Sequence, residues 1–593
     1  MPESGQTIIS NTIESIRHSL SHILAMAVLD MFPEAKLAIG PAIEHGFYYD
    51  FELPRTLIPE DLPLLEERMR AIITQGLPFE RGELPRDQAL ELFSTLNQLY
   101  KVELINDLPI DETISFYKTG ERFLDLCRGP HVASTKDIPN SFTLTKISGA
   151  YWKGDEKNTM LQRIYGLAFQ TKEELEAYLQ LLEEARLRDH RRLGKELDLF
   201  TFSDLVGPGL PLWTFKGSVI RRELERFIVD EELKRGYQHV YTPDLAKKEL
   251  YEKSGHYPYY KDTMYPLIQV DNDELLLRPM TCPHHFQLFS YKKRSYRELP
   301  MRIAELAKLY RYEKSGELTG LIRVRSFCLA DAHIICRYGQ ASSEIHRALD
   351  LIEYLCEVFG ISKGTDYSYR LSLGDRDDEK KYYKNDAAWD AGEALLRKVL
   401  QERDVPFTEA NAEAAFYGPK IDIQMKNVVG KEDTAFTVQY DFCMPDRFEL
   451  LCTNEQGEDE KTVVIHRSSV GAIERIIGFL IEKYAGKFPV WLAPVQASII
   501  PISDKQLDYA TTVQQQLATA GIRAEIDDRS ERMQAKIRDA QGQQIPYMLV
   551  VGDREKEEGT VAPRRRDGEK LETMKIADFS ALVVDEIEKK VRW

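Results

Sequence analysis

MRIAELAKLYRYEKSGELTGLIRVRSFCLADAH, residues 301–333, is the stretch on which the fold turns. Apolar residues gather towards its two ends and a Gly/Ser-containing segment divides them, so it reads as two strands joined by a loop. Arg311 and Glu313 lie two apart near the end of the first run. On alternate strand positions both point to one face, and a carboxylate then stands where it can orient a guanidinium. A planar fork held that way suits a phosphate. A surface hairpin with ordinary ion pairs fits this stretch equally well, and the wider chain has to choose between them.

At 593 residues the chain exceeds one hydrophobic core, and length alone suggests about three or four domains. Hydrophobic residues at 43% and charged residues at 30% fit a soluble globular protein. No apolar run is long enough to span a bilayer and the start, MPESGQTIIS, carries no leader pattern, so the expectation is a cytoplasmic protein with no membrane partner. Seven cysteines without a C-x-x-C pair argue for reduced thiols, and any metal site has to draw on distant residues. The net charge of -17 argues against indiscriminate coating of nucleic acid, so RNA binding has to be argued locally.

Along the chain, Asn11 and Glu14 make a capping box ahead of Ile16, Leu20, Ile23, Leu24 and Ala27 at helical spacing. His18 and His22 fall away from that stripe, which argues against core histidines; Cys127 and His131 repeat the four-residue interval in a Gly-Pro segment that reads as loop. Such a set suits a tetrahedral zinc site, a cluster that positions water, or simply solvated side chains. From Thr171 a second capping box opens a charged helix that carries a domain boundary, residues 171–195 forming a linker. Residues 196–490 mix amphipathic helices such as 218–235 with strands such as 435–442, as in a sheet-centred α+β domain. After residue 490 strands at 495–500, 523–526 and 546–551 alternate with helices at 506–520 and 531–541, a compact α/β pattern that includes the basic run Arg564, Arg565 and Arg566. Taken alone, that run reads as a solvated turn.

These pieces together resemble the threonyl-tRNA synthetases of bacterial type, in class II of the aminoacyl-tRNA synthetases, and the resemblance covers essentially the whole chain. RYE at 311–313 resembles the arginine-x-glutamate of class motif 2, GAIERIIGF with Gly471 and Arg475 resembles motif 3, and YTPDL around Pro243 falls where motif 1 builds a dimer interface. RPMTCPHH, RVRSF with DAH, FYGPKIDI, TVQYDF and VIHRSSVGAIER identify the threonine branch; HSLSH, CRGPH and GAYWKGDEKNTMLQRIYG resemble its editing domain. The implied architecture is a multidomain α+β protein: an editing domain at 1–170, the linker, a class II antiparallel-sheet catalytic domain at 196–490, and an anticodon-binding α/β domain at 491–593.

The resemblance also implies roles. Arg311 and Arg475 would hold the α- and γ-phosphates of ATP, with Glu313, Arg323 and Phe327 completing the nucleotide site and magnesium bridging the phosphates. Cys282, His333 and His466 would hold one zinc per chain, and Asp331, Tyr417, Lys420 and Gln439 would take the amino acid. An apolar pocket tells threonine poorly from valine, whereas a three-ligand zinc with open positions can demand the hydroxyl. His256 stands at the place of the base for transfer to the tRNA ribose. His18, His22, Cys127 and His131, with Lys101 and Asp125, would form a site that hydrolyses mischarged seryl-tRNA, in its metal-free form. Glu555 and Arg564 would read the anticodon.

The chain departs from many relatives in lacking an opening ubiquitin-like domain, in Leu329 where a glutamine is usual, and in Ser530 and Gln544 where Asn and Arg read bases. The expectation is a homodimeric threonine-tRNA ligase acting on ATP, threonine and its tRNA. A synthetase-derived regulatory binder would have lost a motif arginine or zinc ligand, and none is lost. A protein acting mainly in editing would carry a damaged synthetic site, of which Leu329 is the only hint.

Overall fold

Two antiparallel strands, Met301–Tyr310 and Ser326–Cys336, do form from the 301–333 stretch in the computed structural model, which describes residues 12–110 and 112–592. They lie within an eight-stranded sheet. Its strand order is Gln238–His239, Met301–Tyr310, Ser326–Cys336, Val463–Ala472, Glu432–Asp441, Lys420–Lys426, Tyr367–Ser372 and Phe407–Ala410. The six inner strands pair antiparallel and the two edge strands pair parallel to their neighbours.

Period-two alternation gives this sheet two chemistries. Cys328, Ala330, Ala332, Ile334 and Cys336, with Phe436, Val438 and Ile465, belong to one apolar core with the helices Phe215–Lys234, Ala341–Val358, Asp386–Glu402 and Ile473–Tyr484. The other side of the same strands presents Phe327, Leu329, Asp331, His333, Thr437, Gln439, His466 and Ser468 to a cavity of about 330 Å³. Register aligns one row of this side across four strands: His333 opposite His466, His466 opposite Gln439, and Gln439 opposite Lys420.

One local expectation fails. The first strand ends at Tyr310, so Arg311 and Glu313 are in the loop and not on alternate strand positions. The Glu313 amide donates to the Arg311 carbonyl at 2.9 Å, a tight turn in place of strand alternation, and no ion pair joins the two side chains among the described residues.

The sheet belongs to the compact unit Glu183–Trp593. Its C-terminal part has a five-stranded sheet in the order Ala524–Ile526, Ala497–Pro501, Tyr547–Val551, Thr560–Arg565, Met574–Lys575, parallel over the first three strands and antiparallel beyond. Helices Leu507–Thr519 and Met533–Gly542 fall within two residues of their predicted spans, and Ile576–Glu588 is an element the alternation missed.

In the unit Met1–Leu182, helix Ile13–Met31 packs on helix Asp61–Thr74 and on the strands Gly46–Glu52, Met160–Ala168 and Phe142–Tyr151. The cap placed on Asn11 lies outside the described residues; Thr12 occupies the N-cap, its hydroxyl accepting from the Ser15 amide at 3.3 Å. His22 is only 2% exposed, so the expectation of a non-core histidine is wrong for that residue. The helix is covered on both sides, its Ser/His side by the segment after strand Phe123–Leu126 through Ser19 and His131. The Thr171–Glu174 capping box is present, but the charged helix stops at Arg188 and a second helix, His190–Glu196, begins under a new cap, the Asp189 carboxylate accepting from the Arg191 amide at 2.8 Å. No helix of the described residues is long and apolar enough to cross a membrane.

Candidate active site

Cys282 opens helix Cys282–Ser290 below the sheet, while His333 and His466 are register partners on adjacent strands. Their ligand atoms lie within 4.8 Å of one another, and all three residues are buried. Each imidazole is oriented from behind. Asp441 lies 2.7 Å from His466 Nε2, while His285 lies 2.8 Å from His333 Nδ1 and is itself 3.2 Å from Glu305. Carboxylate–histidine pairs of this kind fix the tautomer and leave the far nitrogen for a metal, here His466 Nδ1 and His333 Nε2. Burial, with Asp331 and Asp441 nearby, pushes the Cys282 thiol well up, and burial holds the His333 imidazole neutral. Burial also raises Asp331. A divalent cation is the charge this donor set lacks, so the residues fit a zinc ion. His285, Glu305 and Asp441 were not singled out from sequence, although CPHH and TVQYDF contained two of them.

Arg311 projects from the loop into the cavity beside Phe327, its guanidinium carbon 5.2 Å from the ring centroid. Among the described residues its guanidinium donates to Met280 Sδ at 3.5 Å, and its buried Nε has no protein partner. A desolvated cation with free donors is prepared for an anion. Arg475, in the first turn of helix Ile473–Tyr484, reaches the same cavity and is held by the Ile322 carbonyl at 3.1 Å and the Thr434 carbonyl at 2.9 Å. Burial lowers both guanidinium groups, and the nearby charges of Arg311 and Arg323 lower Arg475 further. Arg323 and Glu313 line the rim. Leu329 joins Ala307, Leu309, Val324, Phe327 and Ala472 in an apolar wall.

Tyr417 stacks on His466 with centroids 4.8 Å apart and its hydroxyl donates to Gln439 Oε1. Lys420 lies on the same register row, paired with Asp422 at 3.0 Å. His256 does not line the cavity. It is 1% exposed behind Cys282, with Nε2 3.8 Å from the thiol and Nδ1 2.7 Å from the Ser254 hydroxyl, and burial lowers it to about 3.

In the first unit His18 Nε2 and His131 Nε2 lie 3.3 and 3.2 Å from Cys127 Sγ, and His22 Nε2 lies 3.7 Å from Asp125. Lys101 meets the other Asp125 oxygen at 2.5 Å. Tyr49, unmarked by any sequence signal, completes the group by donating to Asp125 at 2.5 Å and receiving from Lys101 at 3.0 Å. Burial lowers His18, His22 and His131 and pushes the Cys127 thiol up to about 12, so the four are neutral at physiological pH. Their ligand atoms also fall within 4.8 Å of one another, close enough for a metal.

The three C-terminal arginines diverge. Arg565 pairs with Glu569 and Glu586, and Arg566 donates to the Phe488 and Gln544 carbonyls, so the solvated-turn reading does not describe them. Arg564, on the alternate strand position, is half-exposed and makes no ion pair among the described residues. Glu555 caps its own helix, accepting from the Gly552 amide at 2.9 Å.

Residues 265–484 match the family described as tRNA synthetase class II core domain (G, H, P, S and T), residues 496–586 the anticodon binding domain, and residues 114–165 the threonyl and alanyl tRNA synthetase second additional domain. A threonine–tRNA ligase of Anoxybacillus flavithermus is 50% identical over 98% of this chain and 89% of its own length. Threonine–tRNA ligase 1 of Bacillus subtilis is 48% identical over 97% of this chain and 89% of its own length. Among solved structures, one titled as the RNA binding domain of threonyl-tRNA synthetase from Cryptosporidium parvum superposes with a TM-score of 0.63 at 34% identity, over 67% of this chain and 98% of that one.

Proposed function

The chain belongs to the threonine–tRNA ligase family, and from that premise we propose that it activates threonine with ATP and magnesium, transfers it to its tRNA, and hydrolyses seryl-tRNA formed in error. The observation that carries the synthetic half is the meeting of Cys282, His333 and His466 with Asp331, Gln439 and two buried arginines in one cavity. Bound by the three ligands, zinc would supply open positions that accept an amino group and a hydroxyl together, and so refuse valine. Asp331 accepts from the hydroxyl, while Tyr417, Gln439 and Lys420 orient the amino acid. Arg311 meets the charge that builds on the α-phosphate as the threonine carboxylate attacks, and Arg475 holds the departing phosphates. Arg475 is held by two carbonyls before reaction and so stabilises that charge without reorganising, while Arg311 keeps its donors free for the phosphate. His256, buried behind the thiol, supports a role in transfer only through its neighbours.

Serine offers the same amino and hydroxyl groups, and one methyl is worth only about 1–3 kcal/mol, or roughly 10–200-fold. The neutral cluster of His18, His22, Cys127 and His131, backed by Lys101, Asp125 and Tyr49, supports a second, metal-free site that orders water against the ester. Glu555 and Arg564 serve anticodon reading in the C-terminal domain. Exposed Tyr241 at 95%, with Val206, Leu210 and Trp213 around a hollow of about 790 Å³, supports homodimer formation through the segment around Pro243. The domain bounds of 1–170, 171–195, 196–490 and 491–593 and a cytoplasmic location complete the reading. Threonine-dependent ATP–pyrophosphate exchange by the purified protein tests it, and absence of exchange with metal-loaded enzyme overturns it.

A further inference from the structure

The connector helix His190–Glu196 sets His190 against the 320–323 loop, which lines the nucleotide cavity on its other side. His190 is 2% exposed. Its Nε2 accepts the Leu321 amide at 3.0 Å, which places the ring proton on Nδ1, and Nδ1 donates to Glu482 at 2.7 Å. Asp189, His190 and Glu482 come close enough to share a cation, but with both ring nitrogens engaged this set is a hydrogen-bonded relay and not a ligand set. Gly320 allows the approach: its φ is +48°, and a Cβ there would stand 2.1 Å from His190 Nε2.

The other side of the same loop is fastened to the site. The Ile322 carbonyl accepts from Arg475 Nε at 3.1 Å, and Leu321, Ile322 and Arg323 line the cavity that holds Arg311. A second cavity, of about 460 Å³, adjoins Ile322, Arg323 and Arg475 beneath the loop, so packing alone does not fix that side. Two consecutive residues are thus held by two side chains, Leu321 by His190 and Ile322 by Arg475.

We propose that His190 is a positioning residue for the nucleotide pocket: it holds the 320–323 loop and, through the Ile322 carbonyl, sets the orientation of Arg475. This rests on the nucleotide reading of the cavity given above. Asp331, Gln439 and His466, assigned to the amino acid and the metal, are held by strand pairing rather than by the loop, so the effect is selective for ATP.

Two substitutions separate the bonds. His190→Asn keeps a donor for Glu482 but cannot reach Leu321, whereas His190→Gln can place an oxygen near the position of Nε2. In threonine-dependent exchange, His190→Asn raises the KM for ATP about tenfold, towards the upper end of one net hydrogen bond, and leaves the KM for threonine and the melting temperature near wild type. His190→Gln recovers most of the loss. An unchanged KM for ATP in His190→Asn, or parallel rises in both KM values with a lowered melting temperature, overturns the proposal. Wild type lacking exchange refutes the ligase reading instead. The positioning role then stands or falls on calorimetric titration of wild type and His190→Asn with a non-hydrolysable ATP analogue, equal Kd values overturning it.

Discussion

Cys282 is the residue on which the metal reading can be separated from the rest of the pocket. Replacing its sulfur by oxygen in Cys282→Ser keeps shape and removes the soft, ionisable donor. Zinc content by elemental analysis should fall well below one per chain, and threonine activation should fall with it while the fold, judged by circular dichroism, persists. The histidines of the first unit permit the opposite separation. His18→Ala with His22→Ala should leave threonine charging intact and abolish deacylation of preformed seryl-tRNA, and an equal deacylation rate would show the assignment to be wrong. At this scale the sequence pattern was only half sufficient. The i, i+4 interval of His18 and His22 was visible, but not that the strand Phe123–Leu126 and the turn after it would bring Asp125, Cys127 and His131 onto them. Tyr49 and Asp441 were not singled out because their partners, Asp125 with Lys101 and His466, come from distant segments that only the folded chain brings to them.

Among elements, the antiparallel strand Thr560–Arg565 turns Arg564 and Arg565 to opposite faces, and Arg566 lies just past its end. Arg565 and Arg566 are spent on internal partners, so under the proposed reading Arg564 contacts the tRNA, and Arg564→Ala should raise the KM for tRNA several-fold with amino-acid exchange unchanged. Charging kinetics at varied tRNA check this. The same element shows what periodicity can and cannot decide. Strand and helix identities in the C-terminal region followed from hydrophobic spacing, yet the run of arginines looked like a turn because charge hides a strand whose apolar partners, Val561 and Pro563, are few. Likewise Arg311 and Glu313 continued the alternation of Met301–Tyr310 on paper. The turn that removes them is a backbone contact between these same two residues, and alternation carries no trace of it.

For the whole molecule, the proposed pairing of two copies through the exposed surface around Tyr241 is testable: Tyr241→Asp should shift sedimentation from dimer towards monomer and reduce exchange with it. Long-range order has a further expression in the row His333, His466, Gln439 and Lys420, one residue from each of four neighbouring strands drawn from distant parts of the chain. A slip of one residue in any of these pairings turns a member of the row through to the apolar side. The capacity to take up metal therefore certifies strand pairing. During refolding it should be acquired after secondary structure has returned, and a chain trapped in the wrong register would be countable as the fraction that never becomes able to bind zinc.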